Sequence, residues 1–130
     1  LRPSKYARQG SMEEIYAVAH KFTAFMCCSD YYAVTLIKYL KDKGIRFPED
    51  LSITGFDDNL YAQLACPSLT TIHQDIFQRG TIAMEYLFKM IDGWNPKTTN
   101  LSLPVRLVVR DSVKLLNPPG EDSSDDSSAL

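Results

Sequence analysis

The chain has little cysteine and no spacing that would put it to use. Its 130 residues hold three: Cys27, Cys28 and Cys66. An odd count with one adjacent pair is no disulfide framework, and without a CxxC spacing it is no zinc site. Three small buried hydrophobes in a reducing compartment are expected instead. No apolar run approaches the roughly 20 residues of a membrane span. The first residues carry no secretory leader pattern, so the cytoplasm is the expected location and no membrane partner is expected. There is no Walker phosphate loop, no GxGxxG turn and no GxSxG elbow. Histidine occurs only as His20 and His73. His20 reads as a surface residue. Without those motifs no enzyme is expected, and no catalytic residue, metal or cofactor is assigned.

A basic excess is also missing. The net charge is −2, and Glu121, Asp122, Asp125 and Asp126 crowd a tail without Lys or Arg. Setting those aside leaves 14 basic residues against 12 acidic ones. A nearly neutral body is not the footprint of a nucleic-acid binder.

What is present is an ordinary globular composition, 45% hydrophobic, with length enough for one core. "SMEE" fits a capping box opened by Ser11, which predicts a short helix running to about Lys21. "FTAFMCC" is apolar almost throughout, as a parallel strand covered on both faces would be. Ser29 and Asp30 follow, both residue types that open helices. In "AVTLIKYLKDKG", Ala33, Leu36, Ile37 and Leu40 recur at helical spacing, with Lys41 and Lys43 in the last turn and Gly44 closing it. Residues 51–56 form a second strand, "NLYAQLA" a short helix or turn, and "LTTI" a third strand. Asp75 caps a helix whose inner stripe is Ile76, Gly80, Ala83, Leu87 and Ile91, closed by Asp92-Gly93. Pro104 gives the last extended segment, "LSLPVRLVVR", an edge position. From Asn117 onward the composition is that of a disordered acidic tail. The order implies an α/β fold with an open, mostly parallel sheet flanked by helices.

Open α/β sheets bind ligands outside the carboxyl ends of their strands. Three such ends carry hydrogen-bonding groups here: Cys28-Ser29-Asp30, Phe56-Asp57-Asp58 and Ile72-His73-Gln74. Ser29 and Asp30 can be explained either by helix capping or by a ligand. Asp58 reads as the cap of the helix after it. Asp57 has no such structural duty and reads as a ligand contact. Adjacent carboxylates diverge, so acid–base work by the pair on a single atom is not expected.

"PEDLSITGFDD" followed by "CPSLTTIHQD" resembles the effector-binding domain of the lac/gal repressor family of bacterial transcription regulators. "TAFMCCSDYYAVTLIKYLKDKGIRFPED" resembles the stretch before it, and "LPVRLVVRDS" the closing strand. The resemblance covers about residues 22–112. It implies one lobe of a two-lobed sensor with the type I periplasmic-binding-protein fold, its effector held between the lobes. Residues 22–116 would be most of the C-terminal lobe, residues 1–21 a residual segment with a short helix, and residues 117–130 the tail. The family's helix-turn-helix is not recognisable here, so the chain is expected to be a fragment or a truncated gene product. Contact with DNA would then run through parts outside it. Carried over by position, the resemblance puts Asp57 at the effector's hydroxyls, Ser29 and Gln74 beside it, and Ile76 at the apolar wall. Ser29 stands where the family often has an amide, one strong donor fewer. Asp30 and Asp58 would be structural, helix-capping residues. Val34, Leu64 and Ala65 match the contact of the family's homodimer. The implied partner is a sugar or nucleoside-like polyol. The rival reading is a lobe of a periplasmic-type sugar-transport receptor.

Overall fold

The computed structural model describes residues 5–95 and 100–116. Among these residues, eight elements run in the order α1 (Lys5–Ala19), β1 (Ala24–Met26), α2 (Asp30–Asp42), β2 (Ser52–Asp57), α3 (Leu60–Leu64), β3 (Thr70–His73), α4 (Ile76–Ile91) and β4 (Arg106–Val108). The four strands form one sheet in the order β1-β2-β3-β4. The first three are parallel and β4 runs antiparallel along β3. The fold is therefore the expected α/β class with an open, mostly parallel sheet. Pro104 leads into the edge strand, where no ladder donor is lost. Among the described residues no helix is long and apolar enough to cross a membrane.

The core lies between α2 and the sheet. Ala33, Leu36, Ile37 and Leu40 are buried, as their spacing predicts, against Leu51 and Ile53 of the β2 segment and Leu69 ahead of β3. The helix closes through Gly44 at φ 90°, a left-handed position open to glycine. The Gly44 N–H returns to Lys41 O at 2.9 Å and the Ile45 N–H to Leu40 O at 3.1 Å, which satisfies the last carbonyls.

Two buried polar residues lock the sheet. Ser112 is fully buried, donating from Oγ to Ile53 O at 2.6 Å and accepting the Thr70 N–H at 2.9 Å. It plugs the ends of β2 and β3 that face away from the proposed cleft. Asp30 is also fully buried. Its carboxylate accepts Thr71 Oγ1 at 2.5 Å and the Asn59 N–H at 2.9 Å. Gly55 makes room for it, because a Cβ there would collide with Asp30 Oδ1 and lie 2.7 Å from a Leu69 methyl carbon.

Several expectations do not hold. Helix α1 begins at Lys5, so Ser11 lies inside it and does not cap it. Strand β1 is three residues long, and Met26 is 88% exposed, so it is not covered on both faces. Among the described residues of α4 none is buried; Ile76, Leu87 and Ile91 are exposed. An amphipathic stripe records a face that can be buried, not a surface that buries it. Only Cys27 of the three cysteines is half-buried, Cys28 and Cys66 are exposed, and all three are free thiols. Burial, and secondarily the neighbouring Cys28, pushes the Cys27 thiol up to about 11. The acidic tail lies outside the described residues.

Gly55→Ala is expected to destabilise the fold by about 1–3 kcal/mol, the usual cost of overpacking. Urea unfolding checks this. An unchanged midpoint would mean that Asp30 has slack the packing does not show.

Candidate functional site

The sheet ends in two adjacent aspartates because β2 stops by leaving the extended region. Asp57 has φ 108° and Asp58 φ 55°. Side chains seldom adopt such values, although aspartate tolerates the left-handed region better than most. Two in succession turn the chain sharply. Asp57 is still in register with His73 of β3, and both aspartates border the cleft beyond the strand end. Strain of this kind tends to persist where surrounding bonds fix it.

Those bonds are present. Asp58 is nearly buried, its side chain 8% exposed. It accepts Arg110 Nη2 at 2.5 Å on Oδ1 and pairs with His73 Nδ1 at 2.9 Å through Oδ2. Burial pushes its carboxyl up, but the hydrogen bonds and charge of Arg110 and His73 outweigh that and hold it below the usual carboxylate range. Arg110 is itself anchored, donating through Nη1 to Leu69 O at 2.8 Å and through its backbone N–H to Thr70 Oγ1 at 2.9 Å. So Asp58 is not the cap of the following helix. Asn59 takes that place, its side chain accepting the Tyr61 N–H at 3.0 Å. Arg110 lies 52 residues away in the chain, and only the fold brings it to Asp58.

Asp57 is held more lightly. Its Oδ1 accepts from Gln74 Nε2, and Gln74 Oε1 accepts from Arg79 Nη1. Asp75 caps α4 by accepting the Gln78 N–H at 2.8 Å, which fixes where that helix starts. The result is an open cleft of ≈ 570 Å³. Asp57, Gln74 and Ile76 line it together with Asp58, Asn59, His73, Asp75 and Phe77. Sequence reasoning missed Phe77, which is 83% exposed beside Ile76. The exposure of a single aromatic has no signature in a helical repeat. Ser29 stands at the N-cap of α2, one strand away, with no side-chain capping bond among the described residues. It is not part of this lining. Asp30, beside it, is occupied by the internal bonds described above rather than by capping its own helix.

On another face, Val34, Ala65, Lys38, Lys41 and Cys66 border a shallow depression of ≈ 240 Å³. Leu64 is 74% exposed next to it. Val34 and Ala65 are partly buried and also pack against the core. Among the described residues no group of three or more His, Cys, Asp or Glu could hold a metal ion.

The pattern of the periplasmic binding protein-like domain matches residues 2–113. The chain belongs to that family. The match takes in α1, ahead of the stretch in which the sequence resemblance is visible. Its relatives include the HTH-type transcriptional repressor PurR of Mannheimia succiniciproducens, 35% identical over 103 residues, which is 79% of this chain and 31% of that protein. The transcriptional regulator CelR in complex with cellobiose superposes with a TM-score of 0.73 at 29% identity, over 79% of this chain and 32% of that one. The transcription regulator CcpA of Lactococcus lactis gives 0.70 at 28% identity, over 79% and 40%. The resemblance to lac-type repressors therefore holds, and the domain is of the effector-binding kind found in those regulators. The chain spans about a third of the length of the curated relatives it matches.

The lowered carboxyl of Asp58 gives a signed expectation. A carboxylate whose folded pKa lies below its unfolded value stabilises the fold above the unfolded value and loses that contribution as pH falls through the folded one. Asp58→Asn should therefore cost about 1–3 kcal/mol near pH 7 and distinctly less near pH 3, below the unfolded carboxyl's value, where that contribution is being lost. Urea titrations at both pH values check this. An equal cost at the two would show that charge is not what Asp58 contributes.

Proposed function

We propose that this chain is the effector-sensing and dimerisation lobe of a DNA-binding transcription regulator. The observation that carries the reading is the carboxylate of Asp57, set at a strand end on a turned backbone and facing the open cleft. A carboxylate there accepts hydrogen bonds from hydroxyls, the groups a sugar or related polyol presents in number. Gln74 keeps Asp57 oriented and offers an amide of its own. Ile76, with Phe77 beside it, supplies an apolar wall for the C–H face of a ring. Ser29 would reach the effector from the neighbouring strand. Cellobiose in the CelR complex is consistent with a sugar in this cleft. These relatives are repressors by name, which favours a regulator over an enzyme and supports the cytoplasm as its place of action. DNA contact would belong to parts of the protein outside this chain.

A small patch of Val34, Leu64 and Ala65 suits an isologous contact, where one surface meets its own copy across a two-fold axis. Such a dimer lets two reading heads span the half-sites of a palindrome.

In the full-length regulator, Asp57→Ala should weaken effector binding by about 1.5–3 kcal/mol, the scale of a hydrogen bond to a charged group. Calorimetry with cellobiose and related sugars measures it. Binding that is detected and unchanged in the variant would remove Asp57 from the site.

The dimer is tested on the exposed member of its patch, so that folding is left alone. In analytical ultracentrifugation the wild type should associate reversibly and Leu64→Asp should shift it toward monomer. A wild type that stays monomeric at high concentration, or a variant that associates equally well, would rule the patch out.

A further inference from the structure

A second cleft, of ≈ 500 Å³, opens at the other end of the sheet. Tyr16 and His20 border it from the end of α1 and the turn after it, Phe22 from the entry to β1, and Lys43, Ile45 and Leu51 from the path between α2 and β2. Leu51 precedes β2 and Asp57 ends it, so the strand's length, roughly 20 Å at about 3.3 Å per residue, separates the two clefts.

The interior of this cleft is apolar. Leu51 and Ala19 are buried, and Phe22 is half-exposed toward solvent. Its rim carries two charged side chains of opposite sign, and they are not equivalent. Asp50 is already answered by Arg46, which donates through Nη2 at 2.6 Å, Nε at 2.9 Å and its backbone N–H at 3.0 Å. Lys43 has no carboxylate partner among the described residues. Its Nζ lies 5.6 Å from the ring centroids of both Tyr16 and Tyr39, an arrangement that steadies an ammonium without neutralising it. The charge left uncompensated at the rim is therefore positive, beside an apolar wall and His20.

We propose that this cleft is a second ligand site, distinct from the one at Asp57, that takes a small organic anion with an aromatic or aliphatic body. The carboxylate would rest on Lys43 Nζ while the body lies against Phe22, Ile45 and Leu51. A polyol does not suit it, since the walls offer few acceptors beyond an occupied Asp50. Lys43 is the residue that closes α2, the helix whose first turn carries Asp30, so this cleft lies at the opposite end of that helix from the Asp30 contacts with Thr71 and Asn59.

The test is an NMR titration of ¹⁵N-labelled chain with phenylacetate, with its neutral counterpart phenylacetamide in parallel. Saturable shifts are expected at the amides around Tyr16–Phe22 and Lys43–Leu51, with Asp57 and Gln74 unmoved. Phenylacetamide should bind about tenfold more weakly, the worth of one charge-assisted contact. Lys43→Gln should abolish the preference for the anion and Lys43→Arg should keep most of it. Shifts that never saturate, equal binding of acid and amide, or a preference that survives Lys43→Gln would each overturn the proposal. So would shifts centred on Asp57 and Phe77, which would assign the anion to the first cleft. Shifts at the second cleft that follow protein concentration without any probe would assign it to a second copy of the chain. None of these outcomes depends on whether Asp57 binds a sugar.

Discussion

Asp30 sits wholly buried in the first turn of α2, and the groups that satisfy its carboxylate come from two other segments, the hydroxyl of Thr71 in β3 and the N–H of Asn59 after β2. A buried carboxylate without partners costs far more than one with them, so the arrangement holds as a set. It sets α2 against the sheet, fixes the turn that follows Asp58, and requires a residue without a side chain at Gly55. The core contacts of Leu36, Ile37 and Leu40 are then made by a helix whose position is already specified. Hydrophobic burial supplies most of the driving force. The polar contact decides the geometry at the end of the sheet where the cleft opens.

The two aspartates after Phe56 show how one short turn divides its labour. Positive φ at both residues sends neighbouring carboxylates in different directions. Asp58 goes inward to Arg110 and His73 and holds the turn. Asp57 stays at the cleft with Gln74. Their partners separate them: the first is held by two basic side chains, while among the described residues the second has only the amide of Gln74.

The same sheet leaves apolar surface uncovered. Met26 at the open edge of β1, and Phe77, Leu87 and Ile91 on α4, remain exposed. Their residue types match burial, and the chain spans about a third of the length of the curated relatives it matches. Helix α2, by contrast, is packed along its inner side.

Much of the fold was legible because it is written in local spacing. The stripe of α2, the closing Gly44, the cap at Asp75 and the strand around Ile53 all follow from residues within a few positions of one another. The class of the domain followed too, from "GFDD" and "LTTIHQD" in order. What was not legible is what depends on partners distant in the chain. Asp58 reads as a helix cap until Arg110 arrives from beyond β4. Ser11 reads as a cap until the backbone before it proves helical. The stripe of α4 reads as buried, yet no neighbour in the described residues covers it. Sequence determined which side chains can be helical, apolar or charged, since those are properties of a residue and its near neighbours. Only the tertiary structure decided which carboxylate is spent on an ion pair and which keeps only an amide partner, because that depends on which groups folding brings within about 3 Å of each oxygen.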